Sequence, residues 1–387
     1  MLNKLLRQTP LALLQLMKEK IRFTIAVAGI AFADILMFFQ LGMLDALFDG
    51  SVKCYQLLQG DLVLVNSQFQ TLYLVKEFPR ERLEQTRSIE GVKSVSSVYI
   101  GFAQWRNPQT RLNRTILVWG IDPVESPFAL PEINPNQSQL ILLNRVLFDQ
   151  GSRTEYGQIP DLLKQKSPVE IQINDKTMDV VGLFNIGASF VTDGNVITSD
   201  STFLNLFPEH QADQIALGLI KLKPGADVQQ IQAQITANLP NDVKVLTPSQ
   251  LAQNEIDYLA DQGVGFVFGL GVMVGFIVGI VIVYQILYAD VSDHLPEYAT
   301  MKAMGYSDRY LLGVLIQASL LLAILGYIPG FFFSIGLYQL GYSATQLPIM
   351  MKVSRAVMVL ILTIIMCAVS GAIAMNKLRS ADPADIF

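Results

Sequence analysis

The chain has 387 residues, 51% hydrophobic and 16% charged, with a formal net charge of −5. Soluble domains usually carry about 25% charged residues, so this composition leaves a membrane protein or an unusually apolar soluble one, and the absence of any basic block argues against nucleic acid as a partner. The distribution decides for the membrane: apolar residues crowd near the N-terminus and from about residue 263 onward, while the middle has ordinary soluble composition.

In chain order, residues 1–22 place Leu2, Leu5, Leu6, Leu13, Leu16 and Met17 on one side of a helix, with Lys4, Arg7, Lys18, Lys20 and Arg22 beside them. This predicts an amphipathic helix on the inner membrane surface, kinked at Pro10; the plainer reading is a tethered basic tail. Residues 23–47 form a first span, since a helix needs roughly 20 apolar residues to cross the hydrocarbon layer. The apolar run is too long for a signal-peptide core and no small-residue cleavage site follows, so a retained anchor is expected. It carries Asp34 and Gln40. A carboxylate at that depth is costly. Asp34 is therefore expected to be protonated or hydrogen-bonded to Gln40, Gln285 or Gln317; a role in proton or substrate handling is the other reading.

Residues 48–262 read as an α+β domain. Strands are predicted at Asp61–Asn66, Val92–Trp105, Thr115–Gly120, Leu140–Leu143, Val169–Ile173, Met178–Phe184, Asn195–Thr198 and Ala216–Leu222. Pro79–Ile89 reads as a helix ended by Gly91. Asn174-Asp175 suggests a hairpin turn, and Asp227 a helix cap ahead of Val228, Ile231 and Ile235. The polar, proline-rich stretch Pro123–Gln137 offers a division into two subdomains. His210 and His294 fall on opposite sides of the membrane in this plan, no HExxH, CxxC or GxSxG occurs, and Asp193, Asp200 and Glu209 look like solvated loop acids. The domain is thus expected to bind or dock rather than catalyse, with no catalytic, metal or cofactor-binding residue. Cys54 and Cys367 fall at different membrane levels, so no disulfide is expected.

The second span, 263–288, contains Gly265 and Gly269, and Gly271, Gly275 and Gly279 repeat every four residues on one helix face. Small residues there admit another backbone closely, within the protomer or across a homodimer. Residues 289–310 form a short loop in which Met301 and Met304 share a helix face, Gly305 is a helix stop, and Ser307 or Asp308 caps the next helix. Either an amphipathic docking helix or a solvated loop fits. Spans three and four are 311–340 and 356–376, joined by a short outer loop, 341–355, and followed by a tail, 377–387. The basic residues before span one place both termini in the cytoplasm and 48–262 outside, against the milder opposition of Lys352 and Arg355.

The stretch LPEYATMKAMGYSDRYL resembles the Glu-x-Ala-x-x-Lys-Ala-x-Gly loop of FtsX/MacB-type ABC permeases, matching at Glu297, Ala299, Lys302, Ala303 and Gly305. The order of one span, a large outer domain and three further spans is similar to the family plan, and the tail NKLRSADPADIF resembles the family's ending. The first-span string AGIAFADILMFFQLGMLDALFD, with Asp34 and Gln40, resembles the DevC-like subfamily of cyanobacterial heterocyst glycolipid exporter permeases.

The resemblance implies a MacB-like, type VII ABC permease fold: four transmembrane α-helices with a periplasmic α+β domain between the first and second. It implies a homodimer in the inner membrane bilayer, moved by a separate ABC ATPase subunit (DevA-like) that binds ATP and Mg. Glu297, Ala299, Lys302, Ala303, Met304 and Gly305 would meet that ATPase. A periplasmic membrane-fusion adaptor (DevB-like) and a TolC-like outer-membrane protein would complete a tripartite pump working by mechanotransmission. The chain contains no GxxxxGK[ST] phosphate loop, which fits an ATPase on another polypeptide. Lipoprotein release, or an FtsX-like or sensory role without transport, are the competing expectations.

Overall fold

The structure, a computed structural model, describes residues 20–124, 127–189 and 192–379. The predicted helix of residues 1–22 and the tail 377–387 lie almost wholly outside the described residues. In chain order the elements are α1 (Lys20–Gln56), β1 (Leu62–Asn66), β2 (Phe78–Pro79), α2 (Arg80–Thr86), β3 (Val92–Arg106), β4 (Asn113–Ile121), α3 (Gln137–Leu140), β5 (Arg145–Asp149), α4 (Ile159–Gln165), β6 (Val169–Ile173), β7 (Lys176–Phe184), β8 (Asn195–Ser199) and α5 (Asp200–Leu206). There follow β9 (Gln214–Ile215), β10 (Leu217–Leu222), α6 (Val228–Asn238), β11 (Val243–Leu246), α7 (Pro248–Asp261), α8 (Val264–Asp293), α9 (Leu295–Ala303), α10 (Asp308–Thr345) and α11 (Val353–Arg379). The described residues form two compact units: 20–45 with 264–342 and 349–379, and 46–263 with 343–348.

The first unit is a bundle of α1, α8, α10 and α11, each long and apolar enough to cross a membrane. Helix is the form such segments take, because the hydrocarbon layer offers no partner for an exposed N–H or C=O. Ala26, Ile30 and Ala33 of α1 share a buried cluster with Val283, Leu287 and Val291 of α8, Leu315 and Leu322 of α10, and Met366 and Cys367 of α11. Phe266, Leu270, Met273 and Ile277 of α8 stay exposed, as lipid-facing residues should. Pro329 sits inside α10 without ending it, which membrane helices tolerate. The helices overrun the predicted spans at their polar ends, because backbone hydrogen bonding continues past the apolar stretch. Arg355, expected in the outer loop, accordingly belongs to α11.

The second unit is built on one nine-stranded mixed sheet, ordered β11-β1-β10-β3-β4-β8-β5-β7-β6. β3 is long enough to serve two partners: Val92–Val98 pairs with β10, and Val98–Arg106 with β4. Its far end, Trp105 and Arg106, also pairs with Ile173 and Gln172 of β6. The strands from β3 through β4, β8, β5, β7 and β6 therefore close on themselves, which removes an exposed edge. Trp105, Phe148 and Tyr156 fill one side of the core, and Tyr55, Trp119 and Phe128 the other. Asn174 and Asp175 both take positive φ, the geometry of a two-residue hairpin turn between β6 and β7. Asp227 accepts from the N–H groups of Gln229 and Gln230 at the start of α6, and Thr247 and Gln250 form a capping box on α7.

Two readings of this domain are corrected. Leu140–Leu143 is not a strand: Leu140 ends the short helix α3, Ile141–Leu143 are exposed, and the strand begins at Arg145. The run of apolar residues signalled burial, but only Leu140 reaches the core. Pro123–Gln137 divides nothing, since β3 and β4 before it and β5–β8 after it share one sheet.

Candidate functional site

The loop singled out in the sequence holds α9, separated from α8 by His294. His294 lies 4.0 Å from Asp290, one turn back on α8, and 3.6 Å from Glu297 in the first turn of α9. Glu297 thus has a partner within its own chain while its side chain remains well exposed. At the other end Gly305 adopts φ +93°, and the Tyr306 N–H donates to the Met301 carbonyl at 3.1 Å. That six-to-one bond around a left-handed glycine is a Schellman stop, and it explains why glycine is needed there. Met301 and Leu295 pack against the bundle cluster, whereas Met304 is 66% exposed and the Tyr306 and Tyr310 rings lie together at 5.0 Å. Met301 therefore lies toward the bundle, while Met304, its N–H still bonded to the Thr300 carbonyl in the last helical turn before Gly305, is exposed. Ala299, Lys302 and Ala303 lie in α9 by backbone; their side chains fall outside the described part of the structure. Arg22 of α1 and Asp293 of α8 form an ion pair.

The glycine face of α8 packs inside the protomer. A side chain at Gly271 would meet Gln40, one at Gly275 would press on Leu36 and Met37, and one at Gly279 would collide with Met366 and crowd Ala33. Gln40 thus covers a glycine rather than pairing with Asp34. The partner of Asp34 is Thr363 of α11, its hydroxyl 2.6 Å from Oδ1, and not Gln40, Gln285 or Gln317. The sequence reading missed Thr363 because a threonine in an apolar helix normally bonds its own backbone. It also missed Gly326 and Gly330 of α10, four residues apart, which let that helix close on Ile30 and Asp34 of α1. That spacing was available as a signal.

Near the other end of the bundle, Arg355 is buried, its Nε 3.2 Å from Asp45 Oδ2, its guanidinium 5.3 Å above the Tyr338 ring, and Nη1 donating to the Met350 carbonyl at 3.1 Å. Lys352 also approaches Asp45, at 3.9 Å. The two cations expected in the outer loop thus both approach one carboxylate, Asp45.

Two buried carboxylates organise the α+β domain. Glu255 of α7 accepts from the hydroxyls of Tyr55 and Thr71, each at 2.6 Å, and from the Leu72 N–H at 3.2 Å. Asp149 at the end of β5 accepts from the N–H groups of Gly151, Ile186 and Gly187 and from Asn195 Nδ2, at 2.8–3.1 Å. Burial pushes the Asp149 carboxyl above the usual carboxylate range, countered in part by these donors. Asp193 pairs with Arg153 at 3.1 Å and Arg114 at 3.5 Å, and Glu77 meets His210 at 2.6 Å. Among the described residues, no group of three or more His, Cys, Asp and Glu is placed to hold a metal ion. Cys54 and Cys367 are both free thiols.

Residues 268–383 match the family model of the FtsX-like permease C-terminal domain. The match spans α8 to the end of α11 and includes the α9 segment. No curated protein matches the chain. Among solved structures, the periplasmic region of MacB from Actinobacillus actinomycetemcomitans is similar over 51% of this chain and 92% of that one, at 11% identity and a TM-score of 0.36. The extracellular domain of the noncanonic ABC-type transporter YknZ from Gram-positive bacteria is similar over 49% and 99%, at 12% identity and a TM-score of 0.33.

Proposed function

We propose that this chain is the non-catalytic permease subunit of an ATP-driven exporter. The observation that carries the reading is the match of residues 268–383 to the FtsX-like permease family. The geometry of α9 supports it: a short helix fixed at both ends, by His294 and by the Gly305 stop, with Met304 and Tyr306 exposed beside it. A separate ABC ATPase, DevA-like, binds ATP and Mg and docks on this element. The chain works as a homodimer in the inner membrane, with termini cytoplasmic and the α+β domain periplasmic. Closure of the ATPase pair moves the bundle and, through it, the outer domain, pushing cargo into a DevB-like adaptor and a TolC-like duct. Asp34 and Gln40 in the first span support the DevC-like subfamily and a glycolipid cargo.

The test is reconstitution in lipid vesicles with a candidate ABC ATPase, with and without the adaptor. The expected result is stable co-purification and adaptor-stimulated hydrolysis, reduced at least tenfold by Glu297→Lys or Gly305→Leu while membrane insertion persists. Failure to associate with any ATPase would remove the exporter reading. Association with unimpaired coupling in both variants would leave the permease but move its docking site away from α9.

A further inference from the structure

Asp34 is fully buried between α1, α10 and α11. The Thr363 hydroxyl oxygen lies 2.6 Å from Asp34 Oδ1 and 2.8 Å from the carbonyl oxygen of Val359, one turn back on α11. A hydroxyl has one proton to donate. The bond to the carbonyl four residues earlier is the habitual one for a helical threonine, and it uses that proton. The shorter contact to Asp34 then needs a proton from the other side. A carboxylate has none, and a carboxylic acid has one.

Two further observations point the same way. Asp34 Oδ2 has no hydrogen-bond donor among the described residues. On an ionised group that oxygen would carry unpaired charge at membrane depth; on a neutral acid it is a carbonyl oxygen, which is far cheaper to bury bare. Among the described residues no ion pair joins Asp34 to a cation: Arg355 is paired with Asp45 and Arg22 with Asp293. Among the described residues, the titratable side chains that feel the charge of Asp34 include Tyr327 of α10 and Cys367 of α11. The Tyr327 hydroxyl donates to the Ala356 carbonyl at 2.9 Å, so it does not serve Asp34.

We infer that Asp34 binds a proton and, as a neutral carboxylic acid, donates a hydrogen bond to Thr363, making a proton-dependent latch between α1 and α11. Removal of the proton leaves the Asp34 and Thr363 oxygens facing each other as acceptors unless the threonine gives up its backbone bond. The α1–α11 contact is thereby tied to the occupancy of one proton site. This holds whether or not the chain moves cargo.

Infrared spectroscopy of the full chain in lipid vesicles at neutral pH tests it. The carbonyl stretch of a protonated acid is resolved from ionised-carboxylate bands. The expected result is an acid band that disappears in Asp34→Asn and moves toward the free-acid frequency in Thr363→Val. Loss of only ionised-carboxylate intensity in Asp34→Asn overturns the protonation, and an acid band unmoved by Thr363→Val overturns the latch. Should Asp34→Asn yield no folded protein, the Thr363→Val spectrum decides alone: no acid band that responds to the substitution sinks the proposal.

Discussion

At the scale of single residues, the two buried carboxylates of the α+β domain differ in what surrounds them. Three of the four donors to Asp149 are backbone N–H groups, which cannot turn round. Two of the three donors to Glu255 are hydroxyls, which can accept as readily as donate. Asp149→Asn therefore sets an amide N–H against fixed donors and should cost about 2–3 kcal/mol, whereas Glu255→Gln should cost about 1 kcal/mol. Denaturant unfolding of the full chain in detergent, followed through domain tryptophan fluorescence, ranks them; equal costs would show that the Asp149 loop reshapes freely. Asp149 also has a pH signature. Its folded value is raised, so its contribution to stability is present below the unfolded carboxylate range and is lost as pH rises through the folded value. The wild-type unfolding free energy should fall across that window relative to Asp149→Asn, whose side chain does not titrate.

At the scale of elements, the glycines of α8 separate into two sets. Gly271, Gly275 and Gly279 are closed over by α1 and α11, while Gly265 and Gly269 face open space. Gly279→Leu should abolish bundle assembly, because its side chain has only the space that Met366 and Ala33 already occupy. Gly269→Leu should leave the fold intact. If Gly269→Leu instead splits an oligomer without unfolding the chain, the open end of α8 is a contact with a second chain. The α9 segment makes a sharper comparison. Gly305→Ala should cost about 1 kcal/mol in local helix stopping, since a left-handed backbone is strained for any side chain. Hydrogen exchange at Met304 and Tyr306 should report it, and unchanged exchange would mean that the turn re-forms another way.

At the scale of the whole molecule, the testable statement is topology. Val124 is exposed in the α+β domain and Met304 beside α9. In a background with Cys54 and Cys367 replaced by serine, Val124→Cys should react with an impermeant maleimide in intact cells, and Met304→Cys only after the membrane is opened. The reverse pattern would invert the proposed orientation and place α9 out of reach of any cytoplasmic ATPase.

What the sequence determined by itself was the architecture that hydropathy and local chemistry encode. Long apolar stretches dictate membrane helices, because the bilayer leaves the backbone no other way to satisfy itself. Alternation, Asn174-Asp175 and Asp227 dictate strands, a hairpin and a cap through bonds made within a few residues. The Gly305 stop was legible for the same reason. The tertiary structure decided everything that depends on which segment meets which. It chose Thr363 over three glutamines as the partner of Asp34, joined Asp45 to Arg355 across 310 residues, and turned Gly271, Gly275 and Gly279 of α8 inward. It also carried one sheet past the proline-rich stretch that looked like a boundary. Those outcomes rest on distances between remote side chains, and no local spacing records them.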